Sequence, residues 1–328
     1  MSNQPLGRRP GRALNVLVCG TNYGRVYVDA IALCPERFRL AGLLARGSSR
    51  SRKLAEQCGV PLFLSAEELP PNIDVACTAM GTGAEPTILA LLRRRIHVLC
   101  EHPVTGVDAM EALAGAAASG VCFHVNGHFA ELPAAGAFIT RAGELAQECE
   151  PVLLRILATD RSLWGTLDIA ARAFGGLLAF RPEGVTKLGS FAVVTGFAGD
   201  TPAVLQIQLS RREGEMPADG SPAYLADVHV SLGFRSGILT LSSIVGPVLW
   251  NANYAHCQRT GALLWEPLQA DPLITAAGLY RQRTLANLEA IEVLVHCASG
   301  GAPPLSQRGE YLVSLSRVWE QVAGLLAS

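Results

Sequence analysis

The chain has 328 residues, 49% hydrophobic and 17% charged, with 27 Lys and Arg against 28 Asp and Glu for a net charge of -1. That length favours two domains with sizeable cores, and the balanced charge argues against nucleic acid or an anionic membrane surface as the main partner. No apolar run reaches the ~18 residues of a membrane span, and the start of the chain lacks the apolar core of a signal peptide, so a cytoplasmic location is expected.

The chain opens with a basic, glycine- and proline-containing stretch, Arg8, Arg9, Pro10, Gly11 and Arg12, expected to be a disordered leader. Val16, Leu17 and Val18 then form a short apolar strand, Gly20 and Gly24 punctuate a turn, and Val26, Tyr27 and Ile31 continue at helical spacing. Strand, tight turn and helix in that order bring unpaired N–H groups and the positive end of a helix dipole to one point, which suits a pyrophosphate. The dinucleotide fingerprint G-x-G-x-x-G is only partly met: Gly20 takes its first position, Asn22 its second and Arg25 its third. Asn tolerates positive φ better than most residues, and Thr21 and Tyr23 are expected to line the turn.

A second strand at 39–44 should end beside the adenosine ribose, where an NAD-selective site places an acid on the 2′-hydroxyl. Ala45 stands there instead, followed by Arg46, Ser48, Ser49, Arg50, Arg52 and Lys53 without a carboxylate. Guanidinium and hydroxyl donors suit a phosphate dianion, so the cofactor predicted is NADPH. The alternative is a solvated basic start to the next helix, although first turns usually favour acids.

Further strands are predicted at 61–64, 73–79, 96–100 and 121–126. Gly59 is placed to cap the helix before them, Ser65-Ala66-Glu67-Glu68 reads as a capping box, and Pro86 as the first turn of another helix. The alternation predicts a doubly wound parallel sheet of Rossmann type, with ligands at the carboxyl ends of its strands. Two of those ends stand out. Strand 73–79 runs into the glycine turn Met80-Gly81-Thr82-Gly83, and strand 96–100 into Glu101-His102-Pro103. The residue before a proline is held extended, so His102 is expected to point outwards, where an imidazole near its ordinary pKa makes a good general acid; the alternative is that it only bonds a cofactor amide or ribose. Asn126 and His128 share a face of the last extended segment, making His128 the second candidate donor.

Beyond residue 128 the pattern changes. Strands are predicted at 151–159, 187–196, 203–210, 224–234 and 237–244, with helices only at about 163–175, 276–296 and 306–327, so residues 129–328 are expected to form an α+β substrate or dimerisation domain with a mostly antiparallel sheet after a nucleotide domain at 1–128. Arg211 to Pro222 is expected to be a mobile loop or, equally, a simple hairpin excursion. Trp164, Trp250, Tyr254 and Phe174 either wall a substrate or belong to the core. Nine cysteines without a C-x-x-C pair read as reduced, buried small hydrophobes, and no metal site is expected, His124 and His128 being the only loose pair considered.

Glu101-His102-Pro103 resembles the Glu-Lys-Pro strand end of the glucose-fructose oxidoreductase and inositol dehydrogenase family, with His in the lysine place. Val125-Asn126 and the segment Thr166 to Gly175 are similar to the same family's domain exit and catalytic helix. In sugar-oxidising members a histidine stands three residues before the aspartate that Asp168 matches, whereas this chain has Gly165. Oxidising an alcohol needs a base for the hydroxyl proton, and both positions that supply it are altered; a reductase needing only a proton donor is the simpler inference.

Within that family the chain resembles the thiazolinyl imine reductases of siderophore assembly, the pyochelin and yersiniabactin type, through Leu43 to Arg52, Glu101 to Pro103, Ser162 to Asp168 and Gly246 to Trp250. The resemblance implies NADPH-dependent reduction of a thiazoline C=N to a thiazolidine on a thioester held by a nonribosomal peptide synthetase carrier domain, with a proton from His102, His128 or water and a catalytic or ordering role for Asp168. Two rivals stay open: a sugar or polyol dehydrogenase of the same fold, and a nonenzymatic NADPH-binding protein. A homodimer is expected, as the commonest soluble assembly.

Overall fold

The computed structural model describes residues 12–81, 83–209, 228–269 and 274–327, which fall into two compact units. The first comprises the residues up to His128 together with Tyr280–Val313, the second Phe129–Leu279 and the residues from Ser314 onward.

In the first unit, β1 (Leu14–Cys19), α1 (Arg25–Ala32), β2 (Phe38–Leu44), α2 (Ser49–Cys58), β3 (Leu62–Phe63), β4 (Val75–Thr78), α3 (Glu85–Arg93), β5 (His97–Glu101), α4 (Gly106–Ser119) and β6 (Phe123–Asn126) alternate along the chain. Their strands form one parallel sheet in the order β3-β2-β1-β4-β5-β6. The order reverses direction between β1 and β4, which opens a crevice at their carboxyl ends. Val16, Val18, Val75, Cys77 and Leu99 from the strands meet Tyr27, Ala30, Ile31 and Leu54 from the helices in a common core.

The second unit holds α5 (Pro133–Glu148), β7 (Leu153–Thr159), α6 (Leu163–Ala173), β8 (Phe180–Leu188), β9 (Phe191–Ala198), β10 (Thr201–Gln208), β11 (Val228–Phe234), β12 (Gly237–Leu241), β13 (Val248–Ala252), α7 (Tyr254–Thr260) and β14 (Trp265–Gln269). Its sheet runs β14-β13-β12-β11-β7-β10-β9-β8, antiparallel except for the β7–β10 pair. Helices α5 and α6 cover one face of it. The last helices are α8 (Ala276–Ala298) and α9 (Gly309–Ala327).

The expected fold class therefore holds, with differences in detail. The chain returns to the nucleotide domain after residue 279, because Leu288, Ile291 and Leu294 of α8 are packed into its core, each burial contributing about 1.5–3 kcal/mol. The predicted strand 187–196 is a hairpin, β8 and β9, turning at Gly189 with φ 61°. Helix α5 went unpredicted, although Pro133 sits in its first turn and Phe138, Ala142 and Leu145 form its buried stripe. Gly59 caps α2 in the left-handed conformation as expected, but the Ser65 box yields only a short turn in which Ser65 makes no side-chain cap. The basic leader up to Gly11 and the loop at 211–222 lie outside the described residues. All nine cysteines are free thiols, and no helix among the described residues is long and apolar enough to cross a membrane.

Candidate active site

The turn after β1 is built for close approach. Gly20 adopts φ 89°, and a Cβ there would run into the carbonyl oxygen of Ala79, while one on Gly24 would strike the carbonyl oxygen of Gly20. Gly24 itself has φ -52°, so what this position needs is empty space and not glycine's conformational freedom. Asn22 does not use positive φ either. Helix α1 opens without a side-chain cap or an acid in its first turn, and the nucleotide cradle that Gly20, Thr21, Asn22 and Gly24 form fits a pyrophosphate.

The ribose end is similarly shaped. Ala45 donates its N–H to Phe63 and is followed by Gly47 at φ 75°. Ser48 caps α2, its Oγ accepting from the Ser51 N–H at 3.3 Å, and the Arg52 Nε donates to the Gly47 carbonyl at 2.9 Å. Arg46, Ser49 and Arg50 are exposed, Arg46 and Arg50 make no ion pair among the described residues, and the first turn of α2 carries no acid. The donor set fits a phosphate, with Arg46 and Arg50 as the movable cations. Met80 and Gly81 follow β4, whereas Thr82 lies outside the described residues.

At the ends of β5 and β6 a buried polar cluster forms. Glu101 accepts a hydrogen bond from the Tyr27 hydroxyl at 2.6 Å and another from Asn126 Nδ2 at 3.1 Å, both on Oε2. Its Oε1 lies 3.5 Å from His102 Nε2 and 3.5 Å from His128 Nδ1. The two imidazoles stack with centroids 5.6 Å apart and planes 21° from parallel. Tyr23 closes the group with its hydroxyl 3.0 Å from His128 Nε2, and Asn126 Nδ2 also donates to Asn287 of α8 at 2.7 Å.

This geometry corrects two expectations. His102 does not point outwards: its side chain is only 7% exposed and lies against Glu101 and His128. Burial pushes its imidazole down to about 4, so at neutral pH it is uncharged and holds no imidazolium proton in reserve. His128 is driven well below the ordinary histidine value by burial, then by His102 and Arg283. Tyr23, in the β1–α1 turn, reaches His128 with its hydroxyl, and burial followed by the nearness of Glu101 raises its phenol.

Glu101 moves the other way. Burial lifts its carboxyl to about 8, against the hydrogen bonds from Tyr27 and Asn126 and the charge of Arg283, which pull it down. The proton at neutral pH therefore resides on the carboxyl and not on the imidazoles. Glu101, His102 and His128 are also the one trio of histidine, cysteine or carboxylate donors close enough to share an ion among the described residues, all within 4.8 Å. Hydrogen bonds from Tyr27 and Asn126 to Glu101, and the one between the Tyr23 hydroxyl and His128, tie its members into one network. His124 belongs elsewhere, its imidazole depressed to about 4 by burial and by His97.

The second unit holds the remaining candidates. Asp168 is 1% exposed and pairs with Arg172 one turn on, at 3.0 Å, while Arg172 also holds Glu131. Its carboxylate anchors the helix and is not poised as a free base. Trp164 is 2% exposed and Trp250 6%, the latter stacked obliquely on Phe234 at 6.3 Å, so both are core. Tyr254, at the start of α7, is 66% exposed. The ring of Phe129 lies over Gly165, occupying the space a side chain there would need.

Sequence reasoning missed Tyr27, Asn287 and Arg283 as members of the polar cluster. Tyr27 was legible only as a core position of α1, and its hydroxyl reaches a carboxylate 74 residues away. Asn287 left one usable signal, an amide side chain on the buried face of α8.

Residues 14–127 match the GFO/IDH/MocA oxidoreductase family, NAD-binding Rossmann fold. No curated protein matches the chain in sequence. Among solved structures, the chain is similar to an oxidoreductase from Agrobacterium radiobacter in complex with NAD+, L-tartaric acid and magnesium, at 12% identity over 94% of this chain and 95% of that one, with a TM-score of 0.68. GenD2 from gentamicin A biosynthesis, in complex with NAD, is similar at 18% identity over 96% and 94%, TM-score 0.67. UDP-N-acetylglucosamine 3-dehydrogenase GnnA from Acidithiobacillus ferrooxidans is similar at 16% identity over 95% and 97%, TM-score 0.68. At these identities the likeness establishes a shared fold.

Proposed function

We propose that the protein, whose residues 14–127 match the NAD-binding Rossmann oxidoreductase family model, is an NADPH-dependent reductase of a C=N bond. The substrate proposed is a thiazoline held as a thioester on a carrier domain, reduced to the thiazolidine. The observation that carries the reading is the buried trio of Glu101, His102 and His128, in which Glu101 Oε1 lies 3.5 Å from a nitrogen of each imidazole and burial lifts the carboxyl to about 8, an arrangement suited to giving a proton.

Bound in the cradle, the reduced nicotinamide supplies the hydride. Gly20 and Gly24 leave room for the pyrophosphate, and Arg46, Ser48, Ser49 and Arg50 receive the 2′-phosphate that an acid at Ala45 would repel. Glu101 holds the proton. Its hop from Oε1 to Nε2 of His102, 3.5 Å away, charges the imidazole, which then gives a proton to the substrate nitrogen as negative charge gathers on it. A strong carbonyl-type acid is unnecessary, because an imine nitrogen is itself basic.

Polyol oxidation, the activity that the name of the UDP-N-acetylglucosamine 3-dehydrogenase suggests for a relative of this fold, fits less well. It would need a base, and an imidazole depressed to about 4 at His102 and another driven well below the ordinary value at His128 are weak ones. The family resemblance of Leu43 to Arg52 and Ser162 to Asp168 directs the choice of a thiazoline. The test is nicotinamide absorbance with a 2-aryl-thiazoline thioester: consumption of NADPH supports the reading, and no consumption beside reduction of NAD by a polyol reverses it.

A further inference from the structure

We propose that Tyr23 and His128 form the proton-return path that recharges Glu101 between turnovers, with Tyr23 as a relay residue at the water-facing end. The proposal rests on the reductase reading and deepens it.

The chain of contacts is continuous. The Tyr23 hydroxyl approaches His128 at Nε2, 3.0 Å, more closely than at Nδ1, 3.4 Å. The opposite nitrogen of the same ring, Nδ1, faces Glu101 Oε1 at 3.5 Å, and that oxygen also faces His102. His128 is 2% exposed, so water has little access to it, whereas Tyr23 is half-buried. The ring planes of Tyr23 and His128 lie 33° apart with centroids at 5.7 Å, close enough to hold the hydroxyl at the imidazole edge.

Glu101 Oε2 is already committed to Tyr27 and Asn126, so a returning proton has Oε1 as its place of arrival. The remaining groups facing the cluster are Asn287 and Arg283 of α8 and, nearer Tyr23, Tyr280. Tyr280 donates to Asp29.

The step balances in protons. After Glu101 has given its proton through His102, its carboxylate takes the Nδ1 proton of His128. His128 Nε2 takes the hydroxyl proton of Tyr23, and Tyr23 takes one from water. One proton leaves solvent for each one delivered to substrate, no electron moves, and a tautomer shift of His128 from Nε2–H back to Nδ1–H closes the cycle before the next pass. A neutral imidazole with one donor and one acceptor nitrogen is the group that can pass a proton in this way without accumulating charge.

The experiment compares Tyr23→Phe and His128→Gln with the wild type in pre-steady-state reduction of the thiazoline thioester, together with nitrogen NMR of histidine-labelled protein. The expected result in both variants is a ratio of later to first turnover rates lowered about tenfold or more against the wild type, because the loss falls on the recharging of Glu101, with partial rescue of Tyr23→Phe by added imidazole. Equal slowing of first and later turnovers, or no slowing in Tyr23→Phe, overturns the proposal. The NMR decides independently of activity: His128 should hold its proton on Nδ1 with Nε2 as acceptor in the wild type, and the Nε2 resonance should shift in Tyr23→Phe. A wild type that consumes no NADPH condemns the reductase reading, while an unmoved Nε2 resonance condemns the relay.

Discussion

The ring of Phe129 stands where a side chain at Gly165 would begin: a Cβ on that glycine would lie 2.5 Å from Phe129 Cδ2. The sugar-oxidising relatives that the sequence resembles carry a histidine at this place. Here glycine and phenylalanine interlock, so the missing base is a packed feature of the second unit and not a vacancy into which one could be returned. Gly165→His alone should therefore overpack the site, costing about 1–3 kcal/mol and lowering the melting temperature by several degrees. Phe129→Ala combined with Gly165→His should recover most of that loss. Thermal unfolding of the two variants checks it, and an unchanged melting point for Gly165→His alone would remove the interlock from the argument.

In the proposed reduction His102 carries the proton from Glu101, 3.5 Å away, to the substrate. His102→Ala should reduce turnover about a hundredfold while leaving NADPH affinity nearly unchanged. The separation of kcat from cofactor binding is the informative quantity. An unaltered kcat would assign delivery of the proton to water or to His128.

The pH dependence of the rate follows from Glu101. A donor must be protonated, so turnover should persist below the Glu101 value of about 8 and fall above it as the carboxyl ionises. In Glu101→Gln the alkaline limb governed by this group should vanish, along with most of the activity. A wild-type profile that rises through pH 8 would contradict a carboxylic acid as the proton store.

Stability should report the same group with the sign worked out. The folded state holds the Glu101 proton up to about 8, whereas an unfolded carboxyl releases it at its ordinary value near 4.5. Between these limits the folded state binds more protons, so stability from this group falls as pH rises. His102 acts oppositely: depressed from 6.5 to about 4, it contributes stability above 6.5 that is lost as pH falls towards 4. The melting temperature of Glu101→Gln relative to wild type should therefore climb from pH 5 to pH 9. A flat difference would mean that the carboxyl is not held protonated.

Local features were the legible ones. The β1–α1 turn could be read because Gly20 and Gly24 flank it within five residues, and the absence of an acid at Ala45 needs no tertiary information. The hairpin of β8 and β9 was blurred into one strand because the segment before Gly189 is largely exposed and lacks an alternating apolar signal. The polar cluster was only half visible. Glu101, His102 and His128 announce themselves by chemistry, but Tyr27 and Asn287 join them through contacts spanning 74 and 161 residues. Protonation was read wrongly for His102 because burial, which no single residue reveals, moves its imidazole and the Glu101 carboxyl in opposite directions.

Titration calorimetry of the protein with NADPH and NADH tests the central claim most directly, namely that the ribose end accepts a phosphate where an acid would exclude it. The account predicts tighter binding of NADPH, with the preference lost in the Arg46→Ala, Arg50→Ala double variant through a weakening of NADPH by about tenfold or more and little change for NADH. Tighter binding of NADH by the wild type, or equal losses for both dinucleotides in the variant, would contradict it.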